Sequence, residues 1–254
     1  MNMNLFDLAG KTVIVTGGGG GLSLAMAESL MRGGACIVLL DMEDKVNQIA
    51  QEERDAGFSC HAVLGDLTDT KSRQAAFEQS LTVLGGRLDI LVNGAGVQRR
   101  FDALDFPPAD WELVVDVNLN ATFAMCQLAA GVMKEQGKGK IINIGSMSSY
   151  VGNVNICAYT AAKSAVLGLT KALANEWSAF GINVNGIAPG HFHTELTRTI
   201  QNDKEKYEKI RSRTPIGRWG EPSDLAGPVQ FLASEASDYV CGVMLPVDGG
   251  YLCM

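Results

Sequence analysis

Thr12-Val-Ile-Val-Thr16, then Gly17-Gly-Gly-Gly-Gly21, then Leu22-Ser-Leu-Ala-Met26 is the stretch whose reading decides the fold. The first five residues, β-branched throughout with an apolar centre, read as a strand buried on both faces. The last five turn to helical spacing of apolar residues. Strand, glycine turn and helix in that order is the setting in which a glycine-rich loop binds a dinucleotide. Glycines let the backbone approach a pyrophosphate, and a helix amino terminus offers N–H donors and a favourable dipole. The competing reading is a flexible connection. Five glycines between two ordered elements would then cost conformational entropy without return.

The same alternation runs outward along the chain. Strand-like runs occur at Cys36 to Leu40, Cys60 to Leu64, Leu88 to Val92, Lys140 to Gly145, Ile182 to Ile187 and Val243 to Val247. Between them lie stretches with helical spacing, among them Leu22 to Met31, Ser72 to Leu84, Trp111 to Met133 and Ala158 to Phe180. The pattern predicts an α/β fold, a Rossmann-type doubly wound, seven-stranded parallel sheet flanked by helices, in a single domain over 1–254. Gly181 is a helix stop, and Pro189-Gly190 ends the sixth strand. The polar segment from His191 to Arg213 lacks a clean strand and is expected to form a lid.

Composition narrows the partners. The chain has 254 residues, 46% of them apolar, and a formal net charge of -7. Nucleic acid or an anionic membrane would call for a concentrated basic face, so a small-molecule substrate is expected instead. The six cysteines, at 36, 60, 126, 157, 241 and 253, show neither a Cys-x-x-Cys pair nor metal-ligand spacing. They read as reduced thiols. The opening Met1-Asn-Met-Asn-Leu-Phe-Asp-Leu-Ala-Gly10 has no basic region and no long apolar core, and a cytoplasmic location with no membrane partner is the expectation.

Three residues carry the candidate chemistry. Tyr159 and Lys163 stand at i and i+4 of a predicted helix and share a face. There the ammonium would favour the ionised phenol by opposite-charge attraction, which suits proton transfer. Ser146 follows the strand-like Lys140-Ile-Ile-Asn-Ile-Gly145 and would sit at a strand's carboxyl end, where open α/β sheets place ligands. An ordinary amphipathic pair is the alternative for Tyr159 and Lys163. Asp41 closes the second strand 24 residues after Gly17, where a dinucleotide fold places the acid that bonds the adenosine ribose. It argues for NAD rather than NADP, because a 2′-phosphate would meet a like charge with only Lys45 nearby; a helix cap is the alternative. Asp66 is placed to hold an adenine amino group or simply to make a turn. Gln98-Arg99-Arg100 puts two guanidinium groups at a pocket mouth, suited to a carboxylate, or forms a solvated loop. His191 and His193 form a His-x-His without a third ligand, which favours a lid or substrate contact over a metal.

Together these motifs resemble the short-chain dehydrogenase/reductase family over essentially the whole chain. Its Thr-Gly-x-x-x-Gly-x-Gly turn corresponds to Thr16-Gly17 through Gly21, its Asn-Asn-Ala-Gly to Asn93-Gly94-Ala95-Gly96, its Tyr-x-x-x-Lys to Tyr159 through Lys163, and its helix asparagine to Asn118. The resemblance implies Tyr159 as acid/base and Ser146 as orienter of the reacting oxygen. Lys163 would bind the nicotinamide ribose and lower the tyrosine pKa, and Asn118 would support a water relay. It further implies cofactor contacts at Gly17, Gly21, Leu22, Asp41, Asp66, Leu67, Asn93, Ala95, Gly96, Pro189, Gly190 and Thr194, and a homotetramer. Two positions depart from the pattern. Ser23 replaces the third glycine and is expected to crowd helix against strand, and Gly94 replaces the second asparagine and removes an amide that ties neighbouring strands.

Val97-Gln-Arg-Arg100, Phe192 with Thr194-Glu-Leu-Thr197, and Arg213-Thr-Pro-Ile-Gly-Arg-Trp-Gly220 resemble gluconate 5-dehydrogenases and the related 2-deoxygluconate and 2-keto-3-deoxygluconate dehydrogenases. That implies a sugar-acid alcohol or keto acid as substrate, with Gln98, Arg99, Arg100, Tyr150 and His191 as candidate contacts. Met147-Ser-Ser-Tyr-Val-Gly-Asn-Val-Asn155 is closer to polyol dehydrogenases and ketose reductases. A polyol or 3-oxoacyl substrate, and a non-catalytic NAD-binding protein, remain the alternatives.

Overall fold

The computed structural model describes residues 5–253; Met1 to Asn4 of the amino-terminal stretch lie outside them. In chain order the main elements are β1 (Thr12–Thr16), α1 (Gly21–Arg32), β2 (Cys36–Asp41), α2 (Lys45–Asp55), β3 (Cys60–Leu64), α3 (Thr70–Val83) and β4 (Ile90–Asn93). Next come α4 (Pro108–Val115), α5 (Ala121–Gln136), β5 (Gly139–Ile144), α6 (Cys157–Trp177), β6 (Ile182–Pro189), α7 (Arg198–Gln201), α8 (Lys204–Ser212), α9 (Ala226–Ala233) and β7 (Met244–Val247). The seven strands form one parallel sheet in the order β3-β2-β1-β4-β5-β6-β7. The chain leaves β1 in one direction and returns to its other side at β4, so a crevice opens between their carboxyl ends.

Period-two side-chain direction explains why both sheet faces are apolar. Val13 and Val15, Ile37 and Leu39, and Ile90 and Val92 share one core with Met26 and Leu30 of α1, Val46 of α2 and Val229 of α9. Ile14, Val38, Leu40 and Leu91 point the other way, onto Phe77 of α3, Met125 and Met133 of α5, and Leu173 of α6. Helices on both faces leave these strands no solvent side, which is why they lack polar alternation.

Sequence reading and structure differ in three places. Helices α2 and α9 were not singled out: α2 buries only Val46 and Ala50, and α9 spans eight residues, so neither gives a strong periodic signal. The predicted single helix Trp111 to Met133 is instead α4 and α5 joined through a π-helical turn at Asp116–Asn120. The segment from 191 to 213, read as a single polar stretch, holds two short helices, α7 and α8. Pro108–Gln136 is long and apolar enough to cross a membrane by length and composition. Here Met125, Cys126, Ala129 and Met133 are buried in the core beneath the sheet, which accounts for its apolar character.

Candidate active site

A cavity of about 400 Å³ runs along the carboxyl ends of the strands, from Gly65–Thr68 past Asp41 and the glycine turn to Tyr159, Lys163 and Thr194. The glycine turn lines it, and at Gly17 to Gly19 a side chain would have nowhere to go. Gly17 has φ +67, and a β-carbon on it would lie 2.8 Å from the Ala95 Cα. The Gly17 N–H donates to the Leu40 carbonyl at 2.9 Å, turning the chain sharply off β1. The α1 amino terminus has no side-chain cap, so its N–H groups remain available to an anion.

Asp41 ends β2 and lines the cavity. One carboxylate oxygen accepts from the Gly19 N–H at 2.8 Å and the other from the Glu43 N–H at 3.1 Å. It is therefore not a helix cap: α2 begins after Asp44. Lys45 leans across the same turn, its Nζ paired with Glu43 at 2.5 Å. Asp66 closes the turn after β3. It makes a turn, with Oδ1 accepting from the Thr68 N–H at 2.8 Å and the Thr68 hydroxyl at 2.7 Å, and it also lines the cavity. Those two donors lower its pKa.

At the other end, Ser146 emerges from β5 and is 9% exposed. Its N–H donates to Ser149 Oγ at 3.2 Å, and the Ser149 hydroxyl donates to the Lys163 carbonyl at 2.7 Å. Ser149 thus fixes the turn that carries Ser146 against the helix that carries Tyr159 and Lys163. The sequence reading missed it, although the Ser-x-x-Ser spacing of a capping turn was the available signal. The start of α6 is set by Asn155 at φ +63, a conformation asparagine tolerates better than most side chains, and its carbonyl accepts the Phe101 N–H at 3.1 Å.

Lys163 is buried, donates to the Ile144 carbonyl at 2.7 Å, and lies 5.7 Å from the Tyr159 ring centroid. Burial lowers its pKa to about 8. Burial raises the Tyr159 pKa, and the opposing effects come from the Ser146 hydroxyl and the Arg100 charge.

Asn118 lies in the π-helical turn and is fully buried. Its amide donates to the Val97 and Val114 carbonyls, both at 2.8 Å, while Oδ1 has no partner among the described residues. A β-carbon on Gly96 would lie 2.8 Å from that Oδ1 and 3.7 Å from Lys163 Nζ. Both polar atoms therefore face one small space beside Gly96 that a side chain would fill. The extra residue of the π turn re-aims Asn118 without interrupting the helix path, a device frequent at functional sites.

Gly21, Leu22, Leu67, Ala95, Gly96 and Thr194 also line the cavity. Other predicted residues do not. Asn93 is turned into the core, donating to Asn143 Oδ1 at 2.9 Å and Cys126 Sγ at 3.1 Å, so its side chain is a sheet-to-helix tie. Pro189 and Gly190 end β6 outside the cavity lining, where the Gly190 N–H donates to the Val247 carbonyl. The Tyr150 hydroxyl donates to the Met244 carbonyl at 2.7 Å, so its polar end is held by β7.

The two adjacent arginines separate. Arg99 pairs with Asp110 at 3.0 Å and behaves as the solvated-loop reading expected. Arg100, beyond Gln98, has no carboxylate partner among the described residues, and its charge acts on both Tyr159 and His191. A second cation, which the sequence reading did not assign, follows α8: Arg213 lies 5.0 Å from the Tyr251 ring centroid and also acts on His191. His191 packs 5.3 Å from the Trp219 and Tyr251 ring centroids, and its Nδ1 has no partner. Burial first, then Arg100 and Arg213, lowers its pKa to about 4, so its ring is neutral at pH 7. His193 turns elsewhere, to Glu221 at 2.6 Å and a stack with Trp219 and Tyr207.

A nicotinamide dinucleotide fits this arrangement. The glycine floor leaves no side chain in the way of a pyrophosphate, Asp41 stands beside it, and the Asn118 oxygen and Lys163 ammonium share a space at the far end.

Known proteins agree in sequence and in fold. A family model described as enoyl-(acyl carrier protein) reductase matches residues 18–252. A 2-dehydro-3-deoxy-D-gluconate 5-dehydrogenase of Bacillus subtilis (strain 168) is 44% identical over 249 residues, 97% of this chain and 96% of its own. One bearing the same name from Escherichia coli (strain K12) is 43% identical over 99% of both chains. The solved structure of a gluconate 5-dehydrogenase from Burkholderia cenocepacia J2315, in complex with NADP and tartrate, superposes with a TM-score of 0.95 at 40% identity, covering 99% of this chain and 98% of that one. Agreement over the whole length, at this level of identity and with the same sheet, makes the chain a member of the short-chain dehydrogenase/reductase family.

Proposed function

We propose that this oxidoreductase interconverts a secondary alcohol and a ketone of a sugar acid of the gluconate and 5-ketogluconate type, with NAD as its preferred dinucleotide. The observation that carries the reading is the meeting of Tyr159, Lys163 and Asn118 at one end of a glycine-floored cavity whose other end presents Asp41, with the Ser146 hydroxyl acting on Tyr159 from just outside the lining. When bound, the nicotinamide supplies the hydride chemistry. The protein supplies the proton and the orientation. Ser146 holds the substrate oxygen next to the Tyr159 hydroxyl, which takes the alcohol proton in oxidation and returns it in reduction. Lys163 and Asn118 hold the cofactor ribose and a proton path through the space beside Gly96.

Protonation follows from the Tyr159 environment. With its pKa raised, the phenol keeps its proton at neutral pH and is ready as an acid, so ketone reduction needs no titration of this group between about pH 6 and 8. Oxidation requires the phenolate, and its kcat/KM rises with pH. Arg100 lowers the Tyr159 pKa, so Arg100→Leu is expected to move the rising limb of the oxidation profile to higher pH.

Arg100 also supports the sugar-acid assignment. A guanidinium without a carboxylate partner, beside the acid/base, suits a substrate carboxylate. Arg213 and the neutral His191, in the segment from 191 to 213 that we assign as lid, extend that polar wall. Removing one hydrogen-bonded charge costs about 1.5–3 kcal/mol, so Arg100→Leu is expected to raise the KM for a sugar acid by roughly 10- to 100-fold. Its effect on a neutral polyol is expected to be much smaller. Equal effects on both would remove the carboxylate role.

Initial rates with gluconate, 5-ketogluconate, 2-keto-3-deoxygluconate, several polyols and a 3-oxoacyl thioester test the substrate class. The reading expects sugar acids to lead by at least tenfold in kcat/KM. A leading polyol or thioester would replace it, and NADH binding without turnover of any substrate would favour a non-catalytic protein.

A further inference from the structure

The two departures from the family pattern, Ser23 and Gly94, face each other across the cavity rim. The Ser23 hydroxyl donates to the Gly94 carbonyl at 3.2 Å, and its side chain is 6% exposed. A β-carbon on Gly94 would collide with Ser23 Oγ, come within 3.1 Å of Ser23 Cβ and within 2.9 Å of the Thr16 carbonyl oxygen. Ser23 therefore occupies the volume that an asparagine at position 94 would need. The expected crowding of helix against strand is relieved by a missing side chain, and the expected loss of a tie is answered by a new one.

The geometry also shows what the new tie joins. Thr16 Oγ1 accepts N–H bonds from Gly94 at 3.1 Å and Ala95 at 3.2 Å. The Gly94 residue is thus held at its N–H by the last residue of β1 and at its carbonyl by the first turn of α1. Gly17 to Ser23 form one wall of the cavity and Gly94 to Val97 the facing wall. A hydroxyl in a first helical turn ordinarily serves its own backbone or water. This one reaches 71 residues along the chain to the opposite wall.

We propose that Ser23 is a positioning residue for the dinucleotide, which clamps the α1 amino terminus to the Gly94–Gly96 loop and fixes the width of the cleft between them, in place of the side chain absent from Gly94. The proposal rests on the dinucleotide reading of the cavity. It requires the two positions to act as a unit, because Ser23 fills the space that a β-carbon at position 94 would need.

Titration of the full chain with NADH by fluorescence, together with the KM for NAD and kcat, tests it. Ser23→Ala removes one neutral hydrogen bond and is expected to weaken NADH binding and raise the KM for NAD about three- to tenfold, with kcat changed less than about twofold. Gly94→Ala is expected to weaken binding further. Ser23→Gly/Gly94→Ala is expected to bind NADH more tightly than Gly94→Ala alone, although the Thr16 carbonyl prevents full recovery. Unchanged binding in Ser23→Ala, or independent multiplying effects at the two positions, overturns the proposal. If Gly94→Ala does not fold, the KM and kcat of Ser23→Ala decide alone. Failure of the unaltered chain to bind NADH overturns the dinucleotide reading and this proposal with it, whereas tight parental binding with an indifferent Ser23→Ala overturns the clamp alone.

Discussion

Tyr159→Phe is expected to lower kcat by roughly 10³- to 10⁴-fold in both directions, at the upper end of what a positioned proton-transfer group contributes. The ring and its packing remain, since only the hydroxyl is lost, so NADH binding is expected to stay within about twofold of the parent. Two features of the site make the loss large. Ser146 cannot replace the phenol, because its Oγ already accepts the Ser148 N–H at 3.1 Å and no base lies behind it among the described residues. Lys163 cannot replace it either, because Nζ donates to the Ile144 carbonyl. The measurement is steady-state turnover alongside a fluorescence titration of NADH. Turnover within tenfold of the parent would remove Tyr159 from the reaction, and a parallel loss of NADH binding would point to a collapsed site instead.

Asp41→Asn is expected to shift the preference between dinucleotides by roughly 10- to 100-fold toward NADP. The carboxylate at the end of β2 faces the glycine turn, where it accepts the Gly19 N–H, and a hydrogen bond to a charged group is worth about 1.5–3 kcal/mol. The same charge repels a 2′-phosphate, so its removal acts on both dinucleotides in opposite directions. Lys45 is the cation available to a phosphate there, at present paired with Glu43. Lys45→Ala is accordingly expected to raise the KM for NADP and leave that for NAD within about twofold. The KM values for NAD and NADP in the parent and both variants decide the matter. A parent that prefers NADP more than tenfold would overturn the NAD assignment, notwithstanding the charge on Asp41.

The sheet was legible because its information is local. Val13-Ile-Val15 and its counterparts announce strands buried on both faces, and the longer helices α1, α3, α5 and α6 are marked by apolar spacing within their own length. All seven strands are found within two residues of both predicted ends, the sixth running two residues farther, to Pro189. The π turn at Asn118 was not legible, because an added residue in a helix leaves the apolar spacing on either side nearly intact. Helix α2 was missed for the opposite reason: one short buried stripe against a mostly solvated surface gives little period to read.

Among site residues, Asp41, Asp66, Ser146, Tyr159 and Lys163 were readable from their place after a strand or one turn apart on a helix. Arg99 and Arg100 were not separable, since adjacent arginines differ only in what each meets, and Asp110, which takes Arg99, lies eleven residues away. Arg213 reaches His191 from a segment more than a hundred residues beyond Arg100, with no local pattern to announce it. Tyr150 and Asn93 were assigned by position in a motif, whereas packing against β7 and α5 turned their polar atoms away from the cavity.

The sequence by itself determined the alternation of elements, the glycine turn between β1 and α1 and the placing of Tyr159 and Lys163 one turn apart on α6, because hydrophobic period, glycine geometry and i,i+4 spacing act over a few residues. Only the tertiary structure decided which arginine stays free, what controls the Tyr159 proton and how Ser23 and Gly94 fit together. Those outcomes depend on burial and on close approach between segments far apart in the chain, and both exist only once the sheet has brought the strand ends together.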